Sequence, residues 1–267
     1  MKTVKGLADT GDKVTITGEN FGTDPSDISV SFNGTPAEFE LVDESTIVAT
    51  TPADYQTGSV TVTIHGYTMT GGAMFNPNSK GDVTVLYLQN YKQPFAKAND
   101  ESWKNGEWWT PAVWNQNAAS FNAKGNTTVS GMQYKSEEGL TLAFQNGWDK
   151  EAYTNGKMWQ VATLRPGKYR LEVTYAYTLV VTDAGNFISV LIAKGDSESD
   201  IPNVADLEQL NGVYVAYDKM GTANDSGTLV TPSFEVTETT DVVIGFLTSL
   251  AKGNSYFKVT ELKLILE

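Results

Sequence analysis

Short runs in which apolar and polar residues alternate dominate the chain. In the first quarter they are Val14-Thr15-Ile16-Thr17, Ile28-Ser29-Val30-Ser31-Phe32, Ala37-Glu38-Phe39-Glu40-Leu41, Thr46-Ile47-Val48-Ala49 and Val60-Thr61-Val62-Thr63-Ile64. A period of two sets one face of a strand against a core and the other in water. The breaks carry turn chemistry. Asn33-Gly34 is a preferred pair for a two-residue hairpin, because both residues tolerate positive φ. Gly18, Gly22, Pro25, Pro52 and Gly58 punctuate the other runs. Further along, segments 83–88, 140–145, 158–164, 169–177, 187–193, 213–217, 233–237, 242–247 and 256–266 read as a second, larger set of strands. Arg165-Pro166-Gly167 predicts a turn joining two of them into a hairpin, with Pro presetting φ. Segment 205–210 is the one short helix expected.

These elements predict an all-β protein. Asn76-Pro77-Asn78-Ser79-Lys80-Gly81-Asp82 is polar and contains Pro and Gly, which marks a boundary between residues 1–78 and 79–267. About seven short strands in the first part suit an immunoglobulin-like sandwich. About eight or more strands without intervening helices in the second part suit a larger β-sandwich of jelly-roll type.

Two resemblances sharpen this reading. Gly11-Asp12-Lys13-Val14-Thr15-Ile16-Thr17-Gly18-Glu19-Asn20-Phe21-Gly22 resembles the opening signature of IPT/TIG domains, an immunoglobulin-like family. Val30-Ser31-Phe32-Asn33-Gly34-Thr35-Pro36-Ala37 and Ala49-Thr50-Thr51-Pro52 resemble its next two landmarks. That family implies a spacer or interaction module and no chemistry. Asn155-Gly156-Lys157-Met158-Trp159-Gln160-Val161-Ala162-Thr163-Leu164-Arg165-Pro166-Gly167-Lys168-Tyr169-Arg170 resembles a recurrent hairpin of galactose-binding-like jelly rolls in Bacteroidetes surface lipoproteins. Val243-Ile244-Gly245-Phe246 and Phe257-Lys258-Val259-Thr260-Glu261-Leu262-Lys263-Leu264 fit the closing strands of the same group. The combination implies a non-catalytic cell-surface protein that binds a polysaccharide or oligosaccharide beside other outer-membrane glycan-uptake proteins. The chain opens Met1-Lys2-Thr3-Val4-Lys5 with no apolar stretch behind it, so an export or lipoprotein signal would have to precede residue 1.

Composition narrows the chemistry. Hydrophobic residues make up 40% of the 267, enough for a packed core. No run approaches the ~18 consecutive apolar residues of a membrane-spanning helix. Lys and Arg number 19 against 32 Asp and Glu, a formal net charge of −13. That field repels a phosphate backbone and argues against nucleic acid as a partner. With no Cys and a single His, His65, thiolate metal sites, cysteine nucleophiles and multi-His metal centres are excluded. His65 reads as a strand-end surface residue.

All six Trp lie between residues 103 and 159. A flat aromatic ring matches the apolar face of a pyranose, and amide or acid groups match its hydroxyls. Trp108 and Trp109 lie in a loop-like segment rich in Asn and Gln. Trp148, Asp149, Tyr153 and Asn155 share the next such connection. These six are the candidate ligand-binding residues. Trp159, inside a strand, reads as core. The alternative is that the aromatics are all packed inward and the protein is structural or adhesive. Burial of Trp108, Trp109 and Trp148 together would favour it. A glycosidase or lyase would need opposed carboxylates, with Glu107, Asp149 and Glu151 near the aromatics. No cofactor or metal ligand set is expected. Asp183-Ala184-Gly185-Asn186 and Asn224-Asp225-Ser226-Gly227 are oxygen-rich turns that leave a structural Ca²⁺ open, though Asx turns explain both.

Overall fold

The computed structural model describes residues 1, 6–98, 108–121, 130–146, 152–212, 214–251 and 255–267. The chain divides into two compact units, Met1–Lys80 and Gly81–Glu267.

The first unit contains β1 (Gly6–Leu7), β2 (Lys13–Thr17), β3 (Ile28–Phe32), β4 (Thr35–Ala37), β5 (Phe39–Asp43), β6 (Thr46–Thr50), β7 (Gly58–Ile64) and β8 (Tyr67–Phe75). Among the described residues they form a five-stranded sheet, ordered β1-β8-β7-β3-β4, and a three-stranded sheet, β2-β6-β5. Alternation buries Val14 and Ile16 of β2 and Ile28, Val30 and Phe32 of β3 in one core with Ile47, Tyr55, Val60 and Val62. Asn33 and Gly34 take φ of 45° and 84°, the conformation a tight β3–β4 hairpin needs. Gly18 is held small by Phe21, whose ring would lie 2.3 Å from an added Cβ. Phe21 itself is buried. His65 turns the β7–β8 hairpin and lies on the surface, 3.4 Å from the Asp27 carboxylate.

The second unit contains β9 (Gly81–Asp82), α1 (Thr84–Tyr87), β10 (Trp108–Trp109), β11 (Asn115–Gln116), α2 (Ala118–Phe121), β12 (Ser130–Lys135), β13 (Gly139–Asn146), β14 (Tyr153–Leu164), β15 (Gly167–Val180), β16 (Phe187–Lys194), α3 (Val204–Leu210), β17 (Val215–Lys219), β18 (Ala223–Val230), β19 (Phe234–Val236), β20 (Thr240–Leu250) and β21 (Ser255–Leu266). The described strands form two sheets. The larger runs β10-β12-β13-β21-β15-β18, with β19 on β15 and β9 on β21. The smaller runs β11-β14-β20-β16-β17. Between them lies one core built from Leu142, Phe144, Leu171, Val173, Val190, Ile192, Phe246, Phe257 and Val259, among others. The Phe144 and Phe246 rings meet at 5.0 Å and the Phe144 and Phe257 rings at 6.0 Å. On the smaller sheet a second cluster joins Trp159, Leu191, Val243 and Leu247 to Leu207 of α3 and to Ile201.

Three expectations from the sequence are corrected. Segment 83–88 is not a strand: Thr84–Tyr87 is one helical turn. The Asp82 carboxylate accepts both the amide and the hydroxyl of Thr84, which bends the chain there. Arg165-Pro166-Gly167 does not close a hairpin. β14 pairs with β11 and β20, and β15 with β18, β19 and β21. The turn therefore carries the chain from one sheet to the other, and Leu164 and Tyr169 on either side both enter the core. Asn224-Asp225-Ser226-Gly227 is not a turn but part of β18, paired along β15.

Candidate functional site

The larger sheet has an inner face in the core and an outer face whose side chains alternate with it. On β21, Phe257 and Val259 point inward, so Tyr256 and Lys258 point outward. On β15 the regular pairing breaks. Tyr175 pairs with Gly227 and Thr178 with Asp225, which leaves Ala176 and Tyr177 unpaired. The pairing of β15 with β21 shifts at the same place. Bulges of this kind re-aim side chains and concentrate near functional sites. Tyr177 takes φ of 50°, and the residue is 46% exposed. Gly227, paired with Tyr175 beside the bulge, leaves room for that side chain, because an added Cβ would lie 2.4 Å from the Tyr175 hydroxyl.

An open cleft of about 440 Å³ lies here, lined by Glu138, Tyr177, Thr178, Asn224, Asp225 and Tyr256. That volume falls within the ~300–1,000 Å³ range of small-molecule sites. Beside the lining residues, Lys258 is buried. Its ammonium donates to the Glu138 carboxylate and lies 5.3 Å from the centre of the Tyr256 ring. One end of Glu138 and one side of Tyr256 are thereby fixed. Thr178 is tied to its own sheet, its hydroxyl accepting from the Lys258 amide at 3.2 Å. Asn224 and Asp225 are exposed. The cleft therefore offers aromatic rings alongside amide and carboxylate oxygens, the pairing a polyhydroxylated ring requires.

Those residues singled out from the sequence that the structure describes sit elsewhere. Trp148 and Asp149 lie outside the described residues, as do Glu107 and Glu151. Trp108 and Trp109 are adjacent on β10 and face opposite ways. Trp109 pairs with Met132 and enters the core, while Trp108 pairs with Gln133 toward the outer face. Both are buried, at 7% and 6% exposure. Trp114 is also buried, its indole N–H donating to the Asn90 carbonyl at 3.0 Å. Tyr153 packs against the core, its hydroxyl 3.1 Å from that of Thr248, and burial pushes its phenol well above the usual range. Asn155 is a junction: its amide donates to Ser249, its side-chain oxygen accepts from the first turn of α3, and its carbonyl accepts from Asn117. Of the four described candidates, Trp109 and Tyr153 serve the interior, Asn155 ties β14 of the smaller sheet to its neighbours, and Trp108 is buried on edge strand β10 of the larger sheet. None of them lines the cleft.

The cleft residues were not flagged by local pattern. Tyr177 and Tyr256 look like strand-end aromatics, and Asn224-Asp225 looks like a turn. The signal in the sequence is the oxygen-rich stretch 224–227, which by itself reads as a possible calcium turn. In the structure the Asn186 side chain of the other such stretch bridges Val181, Ser255 and Ala251. Among the described residues no three His, Asp or Glu side chains gather closely enough to hold a metal ion. No helix among them is long and apolar enough to cross a membrane.

These features define a two-unit β-sandwich protein with an open, tyrosine-bearing cleft on one sheet. Residues 2–79 match the IPT/TIG domain. Residues 89–245, more than half of the chain, match the domain of unknown function DUF5013, and the chain belongs to that family. No curated protein matches the chain. Among solved structures it is similar to TmCBM61 in complex with β-1,4-galactotriose, with 12% identity over 67% of this chain and 100% of that one and a TM-score of 0.35. A carbohydrate-binding module of the β-sandwich superfamily shares 12% identity over 96% of this chain and 92% of that one, with a TM-score of 0.34. The K3 cleaved adhesin domain of Lys-gingipain from Porphyromonas gingivalis shares 10% over 67% and 96%, with a TM-score of 0.35. With TM-scores this low, none of these similarities carries a functional conclusion for this chain.

Proposed function

We propose that the protein is a non-catalytic cell-surface carbohydrate-binding protein whose second unit holds a polysaccharide or oligosaccharide in the cleft on its larger sheet. The observation that carries this reading is the bulge in β15. It turns Tyr177 outward into an open cleft shared with Tyr256, Asn224, Asp225 and Glu138. Tyr177 and Tyr256 stack on the C–H faces of sugar rings, and Asn224 and Asp225 take their hydroxyls. The first unit is a spacer. Attachment is as an exported outer-membrane lipoprotein of Bacteroidetes type, working beside other glycan-uptake proteins. Trp148 and Asp149 belong to this proposal as an additional contact. A single site of this kind has a dissociation constant of about 10⁻³–10⁻⁵ M, or roughly −4 to −7 kcal/mol. The test is affinity electrophoresis on a panel of soluble glycans, with Tyr177→Gly, Tyr256→Ala and Trp148→Ala beside the unmodified protein. Retardation by at least one glycan that falls in the Tyr variants supports the proposal. A folded protein retarded by none of them overturns it.

A second reading is favoured by a specific observation. Trp108 and Trp109, two of the three rings whose joint burial would mark a structural or adhesive protein without a sugar site, are both buried. The same electrophoresis separates the two, since that protein migrates unhindered through every glycan.

A further inference from the structure

We infer that the cleft is selective for uncharged sugar units and discriminates against uronic-acid and sulfated glycans. This rests on the glycan-binding reading above and adds the chemical class of the ligand. The described lining contains two acidic residues, Glu138 and Asp225, and no Lys or Arg. The cation beside it is already committed. Lys258 has 5% of its side chain exposed and pairs with Glu138. Its ammonium also sits over the Tyr256 ring. Glu138 is therefore compensated. Asp225 is exposed and has no ion pair among the described residues, which leaves one unbalanced negative charge at the rim.

Sugar hydroxyls both donate and accept, so a carboxylate and an amide suit them. A uronate replaces a hydroxyl donor with a second acceptor-only carboxylate. Two such groups repel, and neither finds a donor in the other. The net charge of −13 adds a weaker repulsion, screened beyond about 8 Å at physiological salt. Freeing Lys258 for an anion would leave Glu138 unpaired, which costs more than a rim contact returns. The selectivity is therefore built into the rim of the cleft, with Asp225 as its specificity-determining residue.

The test uses the full chain. The neutral glycan retained most strongly from a panel of galactan, mannan and mixed-linkage glucan, all hexose polymers, is compared with polygalacturonan and alginate. It is then compared with its own C6-oxidised form, which keeps the linkage and converts a hydroxymethyl group to a carboxylate. For the unmodified protein the dissociation constant rises at least about tenfold on oxidation, equivalent to about 1.4 kcal/mol. In Asp225→Asn, whose exposed side chain is not part of the core, that ratio shrinks several-fold. Equal or tighter binding of the oxidised glycan or of either polyuronate overturns the selectivity while leaving glycan binding intact. An oxidation penalty that Asp225→Asn does not change overturns the role of Asp225. Retention by no glycan at all overturns the parent reading, and the selectivity with it.

Discussion

Tyr177 pays a conformational cost for its position. A side chain at φ of 50° is in the left-handed region that only Gly enters freely. Tyr177 is exposed and belongs to neither described core cluster of its unit, so removing its ring takes little from the core. Tyr177→Gly relieves the strain and removes the ring together. Its melting temperature is expected to equal or exceed that of the unmodified protein, while glycan affinity falls about tenfold; a variant that unfolds earlier would mean the ring is needed for packing. A second residue-scale prediction concerns acid. The Asp200 carboxylate accepts from the Ser197 hydroxyl and from the amides of Asp196 and Ser197, with Tyr214 also donating to it. The Ser197 hydroxyl leads in holding its pKa below the usual 3.8. Because the folded value is the lower one, this stabilisation is complete above the unfolded value and is lost as pH falls through the folded value. Thermal melts between pH 6 and pH 2 should therefore show a smaller acid loss in Asp200→Asn than in the unmodified protein. An identical loss in both would remove Asp200 from the account.

At the scale of elements, strand identity was legible where one face is buried and the other wet. β2, β3 and β6 follow directly from alternation, and Asn33-Gly34 marks its hairpin. The pattern failed where pairing partners decide. Residues 223–230 carry little β-propensity, yet they pair along β15. The β14–β15 turn shows sharp reversal in sequence, but nothing local says whether the next strand returns to the same sheet. The bulge that forms the cleft is invisible for the same reason, since it is a mismatch between two distant strands. The buried indoles illustrate a related limit. Trp108-Trp109 sits in a polar segment and looks like a binding loop, but two residues of pairing with β12 are enough to aim them at opposite faces. One element carries a strong stability prediction. Gly245 of β20 lies opposite Trp159, and an added Cβ would meet the Met158 carbonyl at 2.1 Å and the Trp159 Cα at 2.7 Å. Both are backbone atoms and cannot rotate away. Gly245→Ala should cost about 3 kcal/mol in denaturant unfolding; a loss under about 1 kcal/mol would show that β14 and β20 can separate without penalty.

For the whole molecule, all-β architecture was readable from composition and period, because so few segments support helix. The second unit has its own core and its own cleft. Every described cleft residue and every member of its two hydrophobic clusters lies within 81–267. Residues 81–267 produced alone should therefore fold with a cooperative melt and bind glycan within about threefold of the full chain. A folded second unit that has lost binding would place part of the site in the first. The most direct measurement of the central claim is titration calorimetry of the full chain with the glycan that retards it most, repeated for Tyr177→Gly and Tyr256→Ala. The account predicts a dissociation constant of about 10⁻³–10⁻⁵ M that weakens about tenfold or more in each variant with the fold unchanged by circular dichroism. Unaltered affinity in both folded variants would contradict it.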